Sequence, residues 1–195
     1  MPFEAWGAIP VNYLAFYKPY EVLSQFTDSQ GRATLSDYIR ITGVYAAGRL
    51  DFRSEGLLVL SDDGVFIHHL SDPRYEHEKT YFVQVEGVIT LDVVRMFSEN
   101  IVLPDLQRFH AGAELIPEPD IPPRSKPVRD YHPTSWLRIT LKEGKKHQVR
   151  RMTAAVGFPT LRLIRVAIGP VSLGELKPGE WRRLTNDERR SMGRV

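Results

Sequence analysis

The sequence predicts an α+β fold built on a mixed, largely antiparallel sheet with flanking helices. Short β-like and helix-like segments alternate without a regular β-α-β period, which disfavours a parallel doubly wound sheet. A hydrophobic content of 42% is enough for a core, and 195 residues suit one compact domain or two small lobes. The sequence contains no repeat of solenoid or propeller length.

Strands are predicted where apolar and aromatic residues run continuously or alternate with polar ones. The first strand ends at Pro19, because proline cannot continue a sheet ladder. The second is apolar at every position, which is typical of a strand buried on both faces. The predicted strands cover residues 13–17, 57–60, 81–86, 135–141, 161–168 and 181–184.

Helices are predicted where a capping or turn residue precedes a segment with helical apolar spacing. Gly157 and Pro159 end the predicted helix at residues 146–156. Thr185 is suited to cap a short terminal helix. The other predicted helices are 35–39 after Thr34, a segment through His69 after the turn 61–64, a helix from Thr90 to Phe97, and 146–156.

Residues 117–133 contain six prolines, too many for a helix or a central strand. This segment is predicted to be a surface loop. It is either a plain connection or a mobile lid beside a site.

Composition excludes several function classes. The chain has no cysteine, so it holds no disulfide framework, thiolate zinc site, iron–sulfur cluster or catalytic thiol. The opening MPFEAWGAIPV lacks the basic and apolar regions of a signal peptide, and the longest apolar runs are strand-sized. We therefore expect a soluble cytoplasmic protein.

Charge is distributed unevenly along the chain. Residues 1–97 carry 8 basic and 13 acidic side chains, whereas residues 98–195 carry 18 and 11. Such asymmetry indicates a basic face that meets a polyanion, although a solvated basic surface has the same composition. The basic residues of this half that would contact such a polyanion include Arg162, Arg165, Arg182, Arg183, Arg189 and Arg190.

The common cofactor and hydrolase signatures are missing. The sequence has no G-x-G-x-x-G, P-loop, H-E-x-x-H or G-x-S-x-G, and its six histidines do not pair at metal-ligand spacing. We expect no cofactor and no metal. A site must then be built from carboxylate, guanidinium and hydroxyl groups.

Two segments carry such groups. Residues 48–60 place two acids and two arginines on a glycine-bounded loop before the buried strand, where Asp51 either is catalytic or only satisfies the loop. Residues 141–152 open a helix with basic side chains, which suits phosphate binding, although a solvated helix start is common.

With these residues the sequence resembles the RNA pseudouridine synthases, in particular the class acting on ribosomal RNA. Four motifs occur in family order over about residues 12–184. The resemblance is strongest to the subgroup that modifies a uridine of 23S ribosomal RNA. The motifs are GRLDFRSEGLLVLSDDG from Gly48, KTYFVQVEG at 79–87, LKEGKKHQVRRM at 141–152 and LIRVAIGP at 163–170.

The resemblance implies a role for each matching residue. Asp51 would be the essential aspartate, Tyr81 would stack on the target uracil and Arg150 would pair with Asp51. Leu141 would be the apolar pocket residue, and Arg49 would enter the RNA helix as the base swings out. The further residues expected to contact RNA are Lys145, Lys146, His147, Gln148, Arg151 and Arg165.

The resemblance also implies the family's fold, with an active-site cleft between two subdomains, and cofactor-free chemistry. We expect a short N-terminal tail at 1–11, a catalytic domain at 12–184, a basic C-terminal tail at 185–195 and no S4-like module. The expected partner is 23S ribosomal RNA or a large-subunit assembly intermediate, bound by a monomer. Phe52 and Arg53 depart from the basic and acidic residues usual after the aspartate.

Two other functions stay open at this stage. The first is a catalytically idle RNA-binding or ribosome-assembly factor built on the same fold. The second is an enzyme of the family that acts on another RNA, such as tRNA.

Overall fold

The computed structural model describes residues 11–99, 101–103, 105, 107–128 and 131–192. Its strands are β1 (Tyr13–Lys18), β2 (Tyr45–Ala46), β3 (Glu55–Ser61), β4 (Lys79–Glu86), β5 (Ile101–Val102), β6 (Arg108–Phe109), β7 (Gly112–Ile116), β8 (Thr134–Leu141), β9 (Thr160–Ile168), β10 (Val171–Ser172) and β11 (Trp181–Arg183). Its α-helices are α1 (Gly64–Ser71), α2 (Leu91–Met96), α3 (Gln148–Ala155) and α4 (Asn186–Met192).

One large sheet has the strand order β11-β1-β3-β9-β4-β8-β7, with β2 paired to β3 and β10 paired to β9. Within the described sheet, β3 and β9 are the one parallel pair, and every other pair is antiparallel. Strands β5 and β6 form a separate two-stranded ribbon. The predicted α+β class, with a mixed and largely antiparallel sheet, is confirmed.

The parallel pair joins the two halves of the sheet over a short register, in which Glu55 lies opposite Ile164 and Gly56 opposite Arg165. Gly56 has a φ of +103°, and a Cβ added there would lie 2.2 Å from the carbonyl oxygen of Arg165. Because only glycine tolerates both the backbone angle and the close approach, the sequence specifies this junction directly.

Strand β3 is buried on both faces, as the continuous apolar run predicts. Leu57 and Val59 belong to a core cluster on one face, which also includes Phe66 and Leu70 of α1. The residues on the opposite face form a second cluster, made of Leu58 and Leu60 with Leu14, Phe16, Leu35, Ile39 and Val44. A third cluster lies in the β4–β8 half, against α2 and α3.

Two of the predicted helices differ in the structure. The segment after Thr34 forms only a 3-10 turn, Leu35–Asp37, in which the Asp37 carboxylate accepts a hydrogen bond from the Thr34 amide. Helix α3 begins at Gln148, two residues later than predicted, because His147 adopts a left-handed backbone with φ 53°. The strands β2, β5, β6, β7 and β10 were not predicted, since four of them have only two residues and β7 does not alternate between buried and exposed positions.

The chain ends are described in part. Of the expected N-terminal tail, residues 1–10 lie outside the described residues. Within 185–192 the chain forms α4, and the fully buried Met192 joins the core cluster around β3 and α1. None of the helices in the described ranges has the length and apolar content needed to cross a membrane.

Substituting Gly56→Ala is expected to lower the free energy of unfolding by roughly 3 kcal/mol or more, because it adds backbone strain and a clash with Arg165. Chemical denaturation measures this loss. Gly64→Ala is the control, since Gly64 begins α1 with open space around it, and it should change stability by less than about 1 kcal/mol. Equal effects of the two substitutions would contradict the role of Gly56.

Candidate active site

A cleft of about 570 Å³ opens between the loop before β3, the strands β4 and β9, and the turn before α3. Its volume lies within the roughly 300–1,000 Å³ of typical small-molecule sites. Of the predicted site residues, Arg150 and Arg151 do not line it. The nine that do are Arg49, Asp51, Tyr81, Leu141, Lys145, Lys146, His147, Gln148 and Arg165.

The loop that carries Asp51 is fixed by hydrogen bonds on both sides of the residue. The Ser24 hydroxyl accepts from the Leu50 amide at 3.0 Å and donates to the Leu50 carbonyl at 2.8 Å. The Asp51 carbonyl accepts from the Ser54 amide at 3.0 Å, which closes a turn. Leu50 itself is buried in the core cluster that contains Tyr81. Sequence analysis missed Ser24, because no local pattern links it to residue 50.

Basic side chains from several elements lie near the Asp51 carboxylate. His147 Nε2 is 3.4 Å from Asp51 Oδ1. Arg150 approaches less closely than predicted and forms no ion pair with Asp51 within 4.0 Å. Its guanidinium instead donates to the carbonyls of Arg53 at 2.7 Å and Thr160 at 3.4 Å. Burial lowers the pKa of Arg150, and the negative charge of Asp51 partly offsets that effect.

Tyr81 and Leu141 form an apolar wall of the cleft. Both are buried in the same core cluster. In the sheet Tyr81 lies opposite Arg165 of β9, and the register shifts between Thr80 and Tyr81. Such an irregularity re-aims a side chain relative to the regular pleat. Tyr81 and Leu141, the two predicted pocket residues, thus line the same cavity as Asp51.

Two buried cations lie at the cleft wall or behind it. Lys18 is fully buried, and its ammonium donates to the carbonyls of Pro19 at 2.8 Å and Val22 at 2.7 Å. Burial lowers the pKa of Lys18 to about 7, an effect that the charges of Glu55 and Asp51 oppose. Lys18 was not predicted as a site residue, although a lysine at the end of an apolar, aromatic strand could have indicated a buried charge.

Arg165 is the second buried cation. Its Nε donates to the Leu57 carbonyl at 2.8 Å, while its Nη2 is buried without a hydrogen-bond partner among the described residues. The contact to Leu57 ties the side chain of β9 to the backbone of β3. Arg165 thus reinforces the junction of the two strands and also lines the cleft.

Gln148 stabilises the turn before α3. Its amide oxygen accepts from the Lys145 backbone amide at 3.0 Å, and its amide nitrogen donates to Glu143 Oε1 at 2.7 Å. The Lys145 ammonium lies 3.3 Å from Glu143 and 4.8 Å from the centre of the Phe109 ring. Lys146 is exposed at the cleft and makes no ion pair among the described residues.

Some predicted RNA-contacting arginines are engaged within the protein. Arg151 pairs with Asp105. Arg182 donates to both carboxylate oxygens of Glu188. Arg162 is buried and binds Glu55 at 2.9 and 2.8 Å, so it is unavailable to a partner and the expectation for this residue was wrong. Periodicity cannot reveal a counterion 107 positions away.

The proline-rich loop packs against the sheet through two arginines. Arg162 also donates to the Pro122 carbonyl at 2.8 Å. The Arg124 guanidinium lies 4.3 Å from the centre of the Tyr20 ring and donates to the Leu161 carbonyl at 3.4 Å. In its described part, which excludes residues 129 and 130, the loop is a connection that packs on the sheet near Arg150.

The sequence profile of the RNA pseudouridylate synthase family matches residues 12–155. The chain belongs to this family. A ribosomal large subunit pseudouridine synthase E from Vibrio parahaemolyticus is 48% identical over 173 residues, covering 88% of this chain and 73% of that protein. One of the same description from Xanthomonas campestris is 48% identical over 170 residues, covering 85% and 91%. The predicted resemblance is confirmed.

Solved structures show the same relationship. A crystal structure described as a pseudouridylate synthase superposes with a TM-score of 0.78 at 28% identity, covering 95% of this chain and 75% of that one. The synthase described here therefore has its family's fold as well as its sequence motifs.

The substitution Ser24→Ala removes both hydrogen bonds between the Ser24 hydroxyl and the Leu50 backbone. We expect a loss of about 1–2 kcal/mol in unfolding free energy. Because the Leu50 amide loses its acceptor, we also expect its hydrogen exchange to become faster. Ser98→Ala is a matched control, since Ser98 is exposed and only donates to the Arg95 carbonyl. Unchanged exchange at Leu50 would show that Ser24 does not hold the loop.

Proposed function

We propose that this synthase converts a uridine of 23S ribosomal RNA to pseudouridine, with Asp51 as the essential carboxylate. The names of the two relatives above support the substrate. The observation that carries the proposal is the position of Asp51, in a cleft lined by Tyr81, Leu141 and several cations. The chain then works on free ribosomal RNA or an assembly intermediate, as a monomer in the cytoplasm, with residues 12–184 as its catalytic unit.

The reaction is an isomerisation. The C1′–N1 glycosidic bond breaks, the base turns, and C1′ forms a bond to C5. The proton on C5 is lost and N1 gains one, so no electrons, water or phosphate are consumed. A site of carboxylate, aromatic and cationic side chains is sufficient for this balance.

Asp51 must be ionised, either to attack as a nucleophile or to assist cleavage of the glycosidic bond. A nearby positive charge favours the ionised form of a carboxyl group, whereas burial favours the neutral form. Asp51 is 38% exposed on its side chain and lies within 3.4 Å of His147 Nε2, with the positive charge of Lys18 behind it. Asp51 is therefore in contact with solvent and lies near basic side chains.

The target uridine must leave the RNA stack to reach this cleft, at a cost of a few kcal/mol. Tyr81 lies at the apolar wall, where stacking on the extruded base would recover about 1–3 kcal/mol. The exposed Arg49 and Lys146 lie at the same cleft and are placed to contact phosphates or the vacated helix.

Asp51→Asn is expected to reduce pseudouridine formation in 23S ribosomal RNA by roughly 10³-fold or more, since the amide cannot act as a carboxylate. Mapping of pseudouridine after incubation with separate 23S and tRNA transcripts measures the loss and tests the RNA class. Asp92→Asn removes a mostly exposed carboxylate on α2 and should leave modification unchanged. Full activity of Asp51→Asn would exclude Asp51 from the mechanism. Modification of the tRNA transcript alone would show that tRNA, and not 23S ribosomal RNA, is the substrate.

Phosphate contacts make affinity dependent on salt. Between ~50 and ~200 mM salt we expect a steep fall in the affinity for a 23S fragment. Lys146→Ala should reduce the slope of log affinity against log salt by about 0.7–0.9, the value of one contact. Lys177→Ala removes an exposed charge outside the cleft and should leave the slope unchanged. Identical slopes for both variants would argue against RNA contact by Lys146.

A further inference from the structure

His147 is the basic side chain that lies nearest to the Asp51 carboxylate among the described residues. Its Nε2 lies 3.4 Å from Oδ1, and among the described residues no other basic side chain comes within 4.0 Å of this carboxylate. Arg150, which the family motif implies as the partner, points its guanidinium at the carbonyls of Arg53 and Thr160. His147, and not Arg150, is therefore the basic side chain in contact with the Asp51 carboxylate.

The backbone of His147 is held in a sparsely populated conformation. Its φ of 53° and ψ of 24° lie in the left-handed region, which histidine tolerates better than most residues other than glycine, asparagine and aspartate. The two side-chain hydrogen bonds of Gln148, to Glu143 and to the Lys145 amide, fix the turn on either side. The direction of the imidazole is thus set by a braced turn.

The contact contributes little to folding. The side chains of His147 and Asp51 are 49% and 38% exposed, and water screens contacts between polar groups at such exposure, so they add little to stability. The left-handed backbone of a residue other than glycine is itself unfavourable, so it adds no stability either. The contact itself is therefore better explained by orientation of the carboxylate than by folding stability.

We propose that His147 is a positioning residue for Asp51, an inference that rests on the function proposed above. The imidazole holds Oδ1 and so fixes the rotation of the carboxylate. Among the described residues no hydrogen bond reaches either carboxylate oxygen; Oδ1 is the oxygen in contact with the imidazole, and Oδ2 is the oxygen assigned here to meet the extruded nucleotide. His147 was expected from the sequence to contact RNA, and positioning assigns it a different task.

Two variants test this role in single-turnover and steady-state assays on a 23S fragment. His147→Gly removes the side chain while relieving the backbone strain, so a folding defect is not expected. We expect its kcat to fall by roughly 10–100-fold with KM within about twofold of wild type. His147→Gln keeps a nitrogen donor at a similar reach and should recover most of the lost kcat.

His68→Gln is the matched control. His68 Nε2 lies 3.5 Å from Asp72 Oδ2 on the surface of α1, and neither residue lines the cleft. This substitution should leave kcat and KM unchanged. Thermal melting of all variants shows whether any loss of activity follows a loss of folding.

Contact with Asp51 has its own spectroscopic readout. The imidazole Cε1–H resonance of His147, assigned by its disappearance in His147→Gln, should shift in Asp51→Asn, whereas that of His68 should not. This measurement does not require activity.

The outcomes separate the proposals. A raised KM with unchanged kcat would make His147 an RNA contact and overturn positioning, as would unchanged kinetics or an unshifted resonance. If the wild-type protein makes no pseudouridine, the proposed function fails, and the kinetic role of His147 fails with it. An active wild type with unaffected His147 variants overturns the inference alone.

Discussion

The backbone of Arg165 lies against the α-carbon of Gly56, so closely that any added Cβ would meet its carbonyl oxygen at 2.2 Å. At this point β3 and β9 pair in parallel, and the antiparallel strands on either side continue outward into the two halves of the sheet. The cleft opens beside this junction. Its walls come from both halves, so their separation depends on an approach that only glycine permits.

The motif around Asp51 therefore serves the fold and the chemistry together. Asp51 reaches the cleft from the loop, whereas Glu55, four residues later, is buried and binds Arg162 with both oxygens. Gly56 follows at the strand junction. A buried carboxylate and guanidinium must satisfy one another, because either alone would leave an uncompensated charge in the core. Residues that the motif places side by side thus have separate physical tasks.

Basic side chains gather around Asp51 from parts of the chain that are distant in sequence. Lys18 ends β1, Arg165 belongs to β9 and His147 precedes α3, and all three lie at or behind the cleft. Burial opposes the charge on Lys18, so carbonyl acceptors and nearby carboxylates must compensate it. The cost of holding buried cations here is consistent with a site that needs an ionised carboxylate and an anionic partner.

Local pattern alone determined the long strands, the buried character of Leu57–Leu60 and the family, since periodicity and ordered motifs are properties of neighbouring residues. The motifs also indicated that Asp51, Tyr81 and Leu141 belong to one site. Only the tertiary structure decided which basic side chains face Asp51, that Arg162 pairs with Glu55, and that the Ser24 hydroxyl holds the loop at Leu50. These are contacts between residues separated by 26 to 107 positions, and a pairing across such distances depends on how the sheet brings its strands together.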